Sequence, residues 1–190
     1  MTASTLAKPA VYTAQDLERL SDQGYHYELI QGGLRSMSPS GGPYGDAISR
    51  VSFYINAVVY GDDLGMTFAA ETGFLLSRDP DTIKVPDFAF VRYEGLPDPL
   101  PEGFVPLVPD LVVETRSPND TAREVAQKAA EWLAAGVRLV WVIEPQKRAI
   151  TTYRTGRDPQ VLTVGETFDG KDVLPDLSIP VTSIFPTRRN

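Results

Sequence analysis

Two short apolar runs, Leu111-Val112-Val113 and Leu139-Val140-Trp141-Val142-Ile143, flank a stretch of helical periodicity, and this arrangement constrains the fold more than any other feature. Neither run alternates with polar residues, so each predicts a strand covered on both faces. Between them Ala122, Val125, Ala129, Trp132 and Leu133 recur at helical spacing, and Gly136 stands where a C-terminal cap belongs. The spacing predicts a helix opening at Ser117-Pro118-Asn119-Asp120 and running to about Ala135. Strand, helix, strand predicts a right-handed parallel crossover, and so a sheet with helices packed on it.

Other elements gather around that unit. Residues 1–12 read as a flexible arm and 13–185 as one folded core. Thr13, with Asp16 three residues on, predicts the N-cap of a short helix to Leu20. Tyr25–Met37 reads as a hairpin around Gln31-Gly32-Gly33, and Ser38-Pro39-Ser40-Gly41-Gly42-Pro43 as a loop. Ala47, Ile48, Val51, Ile55, Val58 and Val59 give Asp46–Tyr60 one apolar helical face. Strands are expected over Met66–Leu76, Ile83–Tyr93 and Ala149–Tyr153, with a proline-rich loop over Gly95–Pro109. Short strands follow from Val161 to Ile184, with turns at Asp169-Gly170 and Pro175-Asp176. The fold class is α/β (α+β mixed).

Composition removes several kinds of chemistry. The 190 residues include no cysteine, so disulfides, thiolate metal sites and cysteine nucleophiles are excluded. The single histidine, His26, leaves a histidine-based triad hard to build and reads as structural. Neither a Gly-Lys-Ser/Thr phosphate loop nor a Gly-x-Ser-x-Gly elbow occurs. No stretch approaches the roughly 18 apolar residues of a membrane span, and the first residues lack the apolar core of a signal peptide. A cytoplasmic protein with no membrane partner is expected. The net charge of −7 argues against a general basic coat for nucleic acid, though not against a local basic site beside acidic metal ligands.

Three side chains stand out. Asp87 follows Pro86 inside an apolar strand, and Glu114 ends another. A carboxylate there is costly unless it is paired, hydrogen-bonded or bound to a cation. Two at neighbouring strand ends make a natural site for a hard cation such as magnesium. Lys128 lies at the border of the next helix's apolar stripe, from where it can reach the strand end bearing Glu114. Arg116 shares the face of Glu114 if the strand continues. Plainer readings stand beside these: Asp87 as a turn residue, Glu114 paired with Arg116, and Lys128, Glu28 and Glu71 as solvated surface residues.

Several segments together resemble the Uma2 family, also called DUF820. They are Tyr27-Glu28-Leu29-Ile30-Gln31-Gly32-Gly33-Leu34, Met37-Ser38-Pro39, Val85-Pro86-Asp87-Phe88-Ala89-Phe90-Val91, Pro109-Asp110-Leu111-Val112-Val113-Glu114-Thr115-Arg116-Ser117-Pro118, Lys128, the Leu133–Gly136 helix end and Val140-Trp141-Val142-Ile143-Glu144-Pro145. The resemblance covers roughly residues 14–185. It implies a restriction-endonuclease-like core of the PD-(D/E)XK superfamily: a central mixed β-sheet flanked by helices, with an N-terminal helix and hairpin. It implies an endonuclease that uses Mg2+ or Mn2+ held by Asp87 and Glu114 to hydrolyse nucleic acid, DNA by preference. Lys128 matches the family's lysine on the helix, while Arg116 stands where the superfamily's lysine normally follows the glutamate. Glu28 matches a family carboxylate of the hairpin, and Tyr44 stands near a position where many relatives carry histidine. Cutting both strands of a duplex needs two sites, so a homodimer or higher homo-oligomer is expected. Three alternatives remain: a degenerate nuclease fold serving as a nucleic-acid-binding or assembly module, a hydrolase of nucleotides, and a structural interaction protein.

Overall fold

The computed structural model describes residues 11–24, 26–37, 41–118 and 120–186. In chain order they form α1 (Ala14–Asp22), β1 (Tyr27–Ile30), β2 (Gly33–Ser36), α2 (Gly42–Gly61), β3 (Gly65–Ala69), β4 (Phe74–Ser77), β5 (Thr82–Lys84), β6 (Phe88–Arg92), β7 (Leu111–Thr115), α3 (Ala122–Ala134), β8 (Leu139–Glu144), β9 (Ala149–Tyr153), β10 (Gln160–Thr163), β11 (Thr167–Gly170), β12 (Leu174–Pro180) and α4 (Val181–Ile184). Most of the expected arm, the segment Ser38-Pro39-Ser40 and the last four residues lie outside the described residues. Val11 and Tyr12 are the described part of that arm, and the backbone N–H of Tyr12 is tied to the carbonyl of Gly32 in the hairpin turn.

Six strands form the central sheet in the order β10-β9-β8-β7-β6-β3. Its one parallel pair is β7–β8, in register from Leu111 opposite Leu139 to Thr115 opposite Ile143. The crossover between them is α3. Its N-terminus is fixed by a reciprocal cap: Thr121 Oγ1 accepts from Glu124 N, and Glu124 accepts from Thr121 N at 2.7 Å. The helix therefore opens at Ala122, later than the Ser117–Asp120 start expected from sequence. Asp120 caps the preceding turn instead, accepting from Ser117 N at 3.0 Å. Gly136 closes the helix at φ 109, a conformation that favours glycine.

Alternation along the strands sorts the core into two faces. Phe88, Phe90, Leu111, Val113, Leu139, Trp141 and Ile143 face α2, which buries Ala47, Val51, Ile55 and Val59 against them, with β12 and α4 covering the rest. Val112, Val140 and Val142 face α3, through Val125, Ala129 and Trp132. Ala122 of the expected stripe is exposed, and Leu133 is half-buried against the same cluster.

Two expected strands are each divided between sheets. Met66–Leu76 yields β3 in the central sheet and β4 in a second, antiparallel sheet ordered β2-β1-β5-β4. Ile83–Tyr93 yields β5 in that second sheet and β6 in the central one. Pro86 is the physical reason for the second break, because proline has no N–H for a ladder. The helix expected from Asp46 starts at Gly42, with Pro43 in its first turn, where the missing N–H costs nothing. Asp169-Gly170 and Pro175-Asp176 lie within β11 and β12, and the turn between them is Lys171–Val173.

The parallel pair carries the central core, so Leu111→Ala should destabilise the chain by about 2–5 kcal/mol. Thr121→Ala removes only a helix cap and should cost about 1 kcal/mol. Urea unfolding of the two variants checks the ranking.

Candidate active site

The break at Pro86 opens a cleft of about 220 Å3 between the two sheets and α3, bordered by Glu28, Arg35, Asp87, Glu114, Asp120 and Lys128. Register explains how Asp87 and Glu114 come together. Phe88 stands opposite Val113 on antiparallel strands, so one step further along Asp87 is opposite Glu114. Glu114 is two residues beyond Val112 and therefore shares its α3 face.

Two carboxylates of the cleft, Asp87 and Glu28, take backbone N–H groups where regular bonding stops. Past the end of the ladder, Asp87 Oδ2 accepts from Thr115 N at 2.6 Å and from Thr115 Oγ1 at 2.5 Å. Glu28, in β1, accepts through Oε1 from Val85 N at 3.1 Å, beside the proline. Glu114 is buried, and its Oε1 accepts from the indole Nε1 of Trp132 at 2.7 Å. Burial, then the negative charges of Asp87 and Glu28, push the Glu114 carboxyl up to about 8, against the pull of Lys128 and Lys84. Lys128 is half-buried on α3 and lines the same cleft.

Behind this cleft lies a charge cluster that the sequence reading does not contain. Lys84 is only 2% exposed. Its ammonium donates to Glu131 Oε2 at 3.0 Å and to the carbonyl of Lys128 at 3.4 Å, and lies 4.6 Å from the centre of the Trp132 ring. Arg35 forks onto both oxygens of Glu131, at 3.1 and 3.0 Å, and stands 3.6 Å from Glu28. Burial alone would raise the Glu131 carboxyl, but Arg35 and Lys84 hold it at about 2. The one signal for Lys84 in the sequence is a cation in the apolar run Ile83–Val85.

Arg116 is not on the cleft. Strand β7 ends at Thr115, so the shared face with Glu114 is lost. The guanidinium turns to β8, donating to Glu144 Oε2 at 2.6 Å and to the carbonyl of Asp120 at 3.1 and 2.9 Å. Glu114 is thus bonded to Trp132 and not to Arg116. Among the described residues no group of three or more histidine, aspartate or glutamate side chains is placed to hold a metal ion. His26, Tyr44 and Glu71 border a separate, more apolar cavity that adjoins the cleft at Asp87.

The model of the Uma2 family, described as "Putative restriction endonuclease", matches residues 14–182. Among solved structures, the chain is similar to one described as "a putative nuclease belonging to DUF820" from Anabaena variabilis ATCC 29413. The TM-score is 0.76 at 20% identity, over 91% of this chain and 97% of that one. At that identity the likeness speaks for the fold. No curated protein matches significantly.

The Glu114 carboxyl, raised from 4.5 to about 8, holds its proton more tightly in the folded chain than in the unfolded one. Its contribution to stability is therefore complete below pH 4.5 and lost as pH rises towards 8. In chelator, the urea midpoint of the wild type should fall across that window, and Glu114→Gln should flatten the fall. At its upper end the variant should be the more stable, by on the order of a few kcal/mol. Glu131→Gln should act oppositely, because it strips Lys84 of its carboxylate. Breaking a fully buried pair costs about 3–5 kcal/mol, and the partial exposure of Glu131 reduces that.

Proposed function

The chain belongs to the Uma2 family, and from that premise we propose that it is a divalent-cation-dependent endonuclease acting on nucleic acid through Asp87, Glu114 and Lys128. The observation that carries this reading is the meeting of the Asp87 and Glu114 carboxylates with the half-buried Lys128 around one cleft.

The donor set fits a hard cation of the magnesium type. Such an ion prefers one or two carboxylates and keeps several waters, so it needs no third protein ligand. One oxygen of Asp87 is taken by Thr115 and one of Glu114 by Trp132, which leaves one oxygen of each for the cation. Burial is the first cause of the rise of the Glu114 carboxyl to about 8, and the negative charges of Asp87 and Glu28, the second, are what a cation there would offset. When bound, the cation supplies Lewis acidity toward a phosphate oxygen and a water of lowered pKa.

The chain's own groups have separable roles in this mechanism. Asp87 and Glu114 hold the cation, each with its orientation fixed by a hydrogen bond from the protein. Lys128 donates to the phosphate oxygen on which negative charge grows in the transition state. Glu28 braces Val85 and adds negative charge near Glu114, so it is a positioning residue. Arg116 braces Asp120 at the cleft rim from outside and takes no part in chemistry. The preferred substrate is DNA, and the functional unit a homodimer or higher homo-oligomer, which light scattering at high concentration tests.

Cleavage of plasmid DNA with Mg2+ or Mn2+ and its loss in chelator test the function. Asp87→Ala should abolish it. Lys128→Ala should lower turnover by about 10²-fold or more with little change in DNA affinity. Arg116→Ala should leave turnover near wild type. Loss of cleavage in Arg116→Ala with activity retained in Lys128→Ala would reverse the two assignments. A wild type that binds DNA and never cuts it would favour the degenerate module.

A further inference from the structure

The cleft does not end at the carboxylates. Met37, Val85, Asp87 and Thr115 border both the cleft and a neighbouring cavity of about 320 Å3, so the two adjoin. The rest of that cavity is of a different character. His26 and Tyr44 contribute ring surface, and Met37, Ile48 and Pro86 contribute apolar surface. Among the described residues no lysine or arginine borders it, whereas Glu71 and Asp87 do. A phosphate or another anion would be repelled there. The volume lies at the low end of the roughly 300–1,000 Å3 of small-molecule sites. A small, largely apolar occupant able to give N–H groups to carboxylate oxygens at its edge suits it.

We propose that this cavity receives one unpaired nucleobase of the substrate strand, next to the phosphodiester held at Asp87 and Glu114. The inference rests on the endonuclease reading and names its substrate: nucleic acid with an unpaired nucleotide at the cut, in preference to continuous duplex. A base that is stacked and paired cannot enter such a pocket, whereas a single strand offers its bases to aromatic side chains at little cost. The net charge of −7 points the same way, since stacking supplies affinity that a sparse basic surface does not.

Gly45 is a second observation. It lies in the first turn of α2 and borders the cavity, and a Cβ built on it meets nothing within 4 Å among the described residues. Its φ is not in the left-handed region, so neither backbone nor packing requires glycine there. Glycine is, proline apart, the poorest helix former. Glycine at this position leaves that part of the cavity's border without a side chain.

Gly45→Leu places an apolar side chain at the border of the cavity, leaves Asp87, Glu114 and Lys128 unsubstituted, and suits the helix. The test measures binding of oligonucleotides bearing one 2-aminopurine, as a single strand and in a duplex, with Ca2+ in place of Mg2+. Wild type should change the fluorescence of the single strand and bind it at least about tenfold more tightly than the duplex. Gly45→Leu should lose the fluorescence change and about tenfold or more in single-strand affinity, with an unchanged or higher melting temperature; Gly45→Ala should fall between. Equal binding of single strand and duplex, or single-strand binding unaltered in a folded Gly45→Leu, overturns the base pocket and leaves the endonuclease reading intact. A wild type that neither binds nor cleaves nucleic acid in any form overturns both.

Discussion

A missing hydrogen-bond donor organises this molecule. Pro86 interrupts what would otherwise be one long strand from Thr82 to Arg92, and the ladder it breaks is shared between two sheets. Backbone groups at such a break must find other partners if they are buried. The chain meets that demand with carboxylates: Glu28 takes the N–H of Val85, and Asp87 takes the N–H of Thr115. Acidic side chains are thus drawn to the place where the sheets part and a cleft opens. The proposed cation site is a consequence of how the backbone is satisfied.

Concentrating carboxylates in a half-buried cleft creates an electrostatic problem, and the charge cluster behind the cleft answers part of it. Lys84 and Arg35 converge on Glu131, and that carboxylate stays ionised well below its ordinary range. Glu114 lacks such a partner and shifts the other way. Two glutamates, Glu131 on α3 and Glu114 on the strand packed against it, thereby acquire opposite tendencies. Trp132 joins them, with its ring beneath the Lys84 ammonium and its indole N–H on Glu114.

What could be read from sequence followed from periodicity and spacing. The unit β7–α3–β8 was legible because buried parallel strands are uniformly apolar and the helix between them is capped at both ends. Asp87 and Glu114 were legible as candidates because a carboxylate in an apolar run needs a reason. Lys84 was not. A lysine inside a short strand normally reads as solvent-facing, and its partner Glu131 lies 47 residues away. Arg116 shares the face of Glu114 only if the strand runs one residue further, a condition that periodicity does not decide, and β7 stops at Thr115. The division of Ile83–Tyr93 between sheets could be suspected from Pro86, but which sheet takes each half depends on contacts with the distant hairpin.

The hydrogen bond between Trp132 and Glu114 also has an optical meaning. The chain contains two tryptophans. Trp141 lies on the opposite face of the sheet, edge-on to Phe168 with ring centres 4.8 Å apart, and its indole N–H has no hydrogen-bond partner among the described residues. Its surroundings are the packed core. Trp132 has an ammonium on its ring and a titrating carboxylate on its N–H, so its emission follows the charge state of the cleft. The molecule carries its own sensor and its own reference, on the two faces of one sheet.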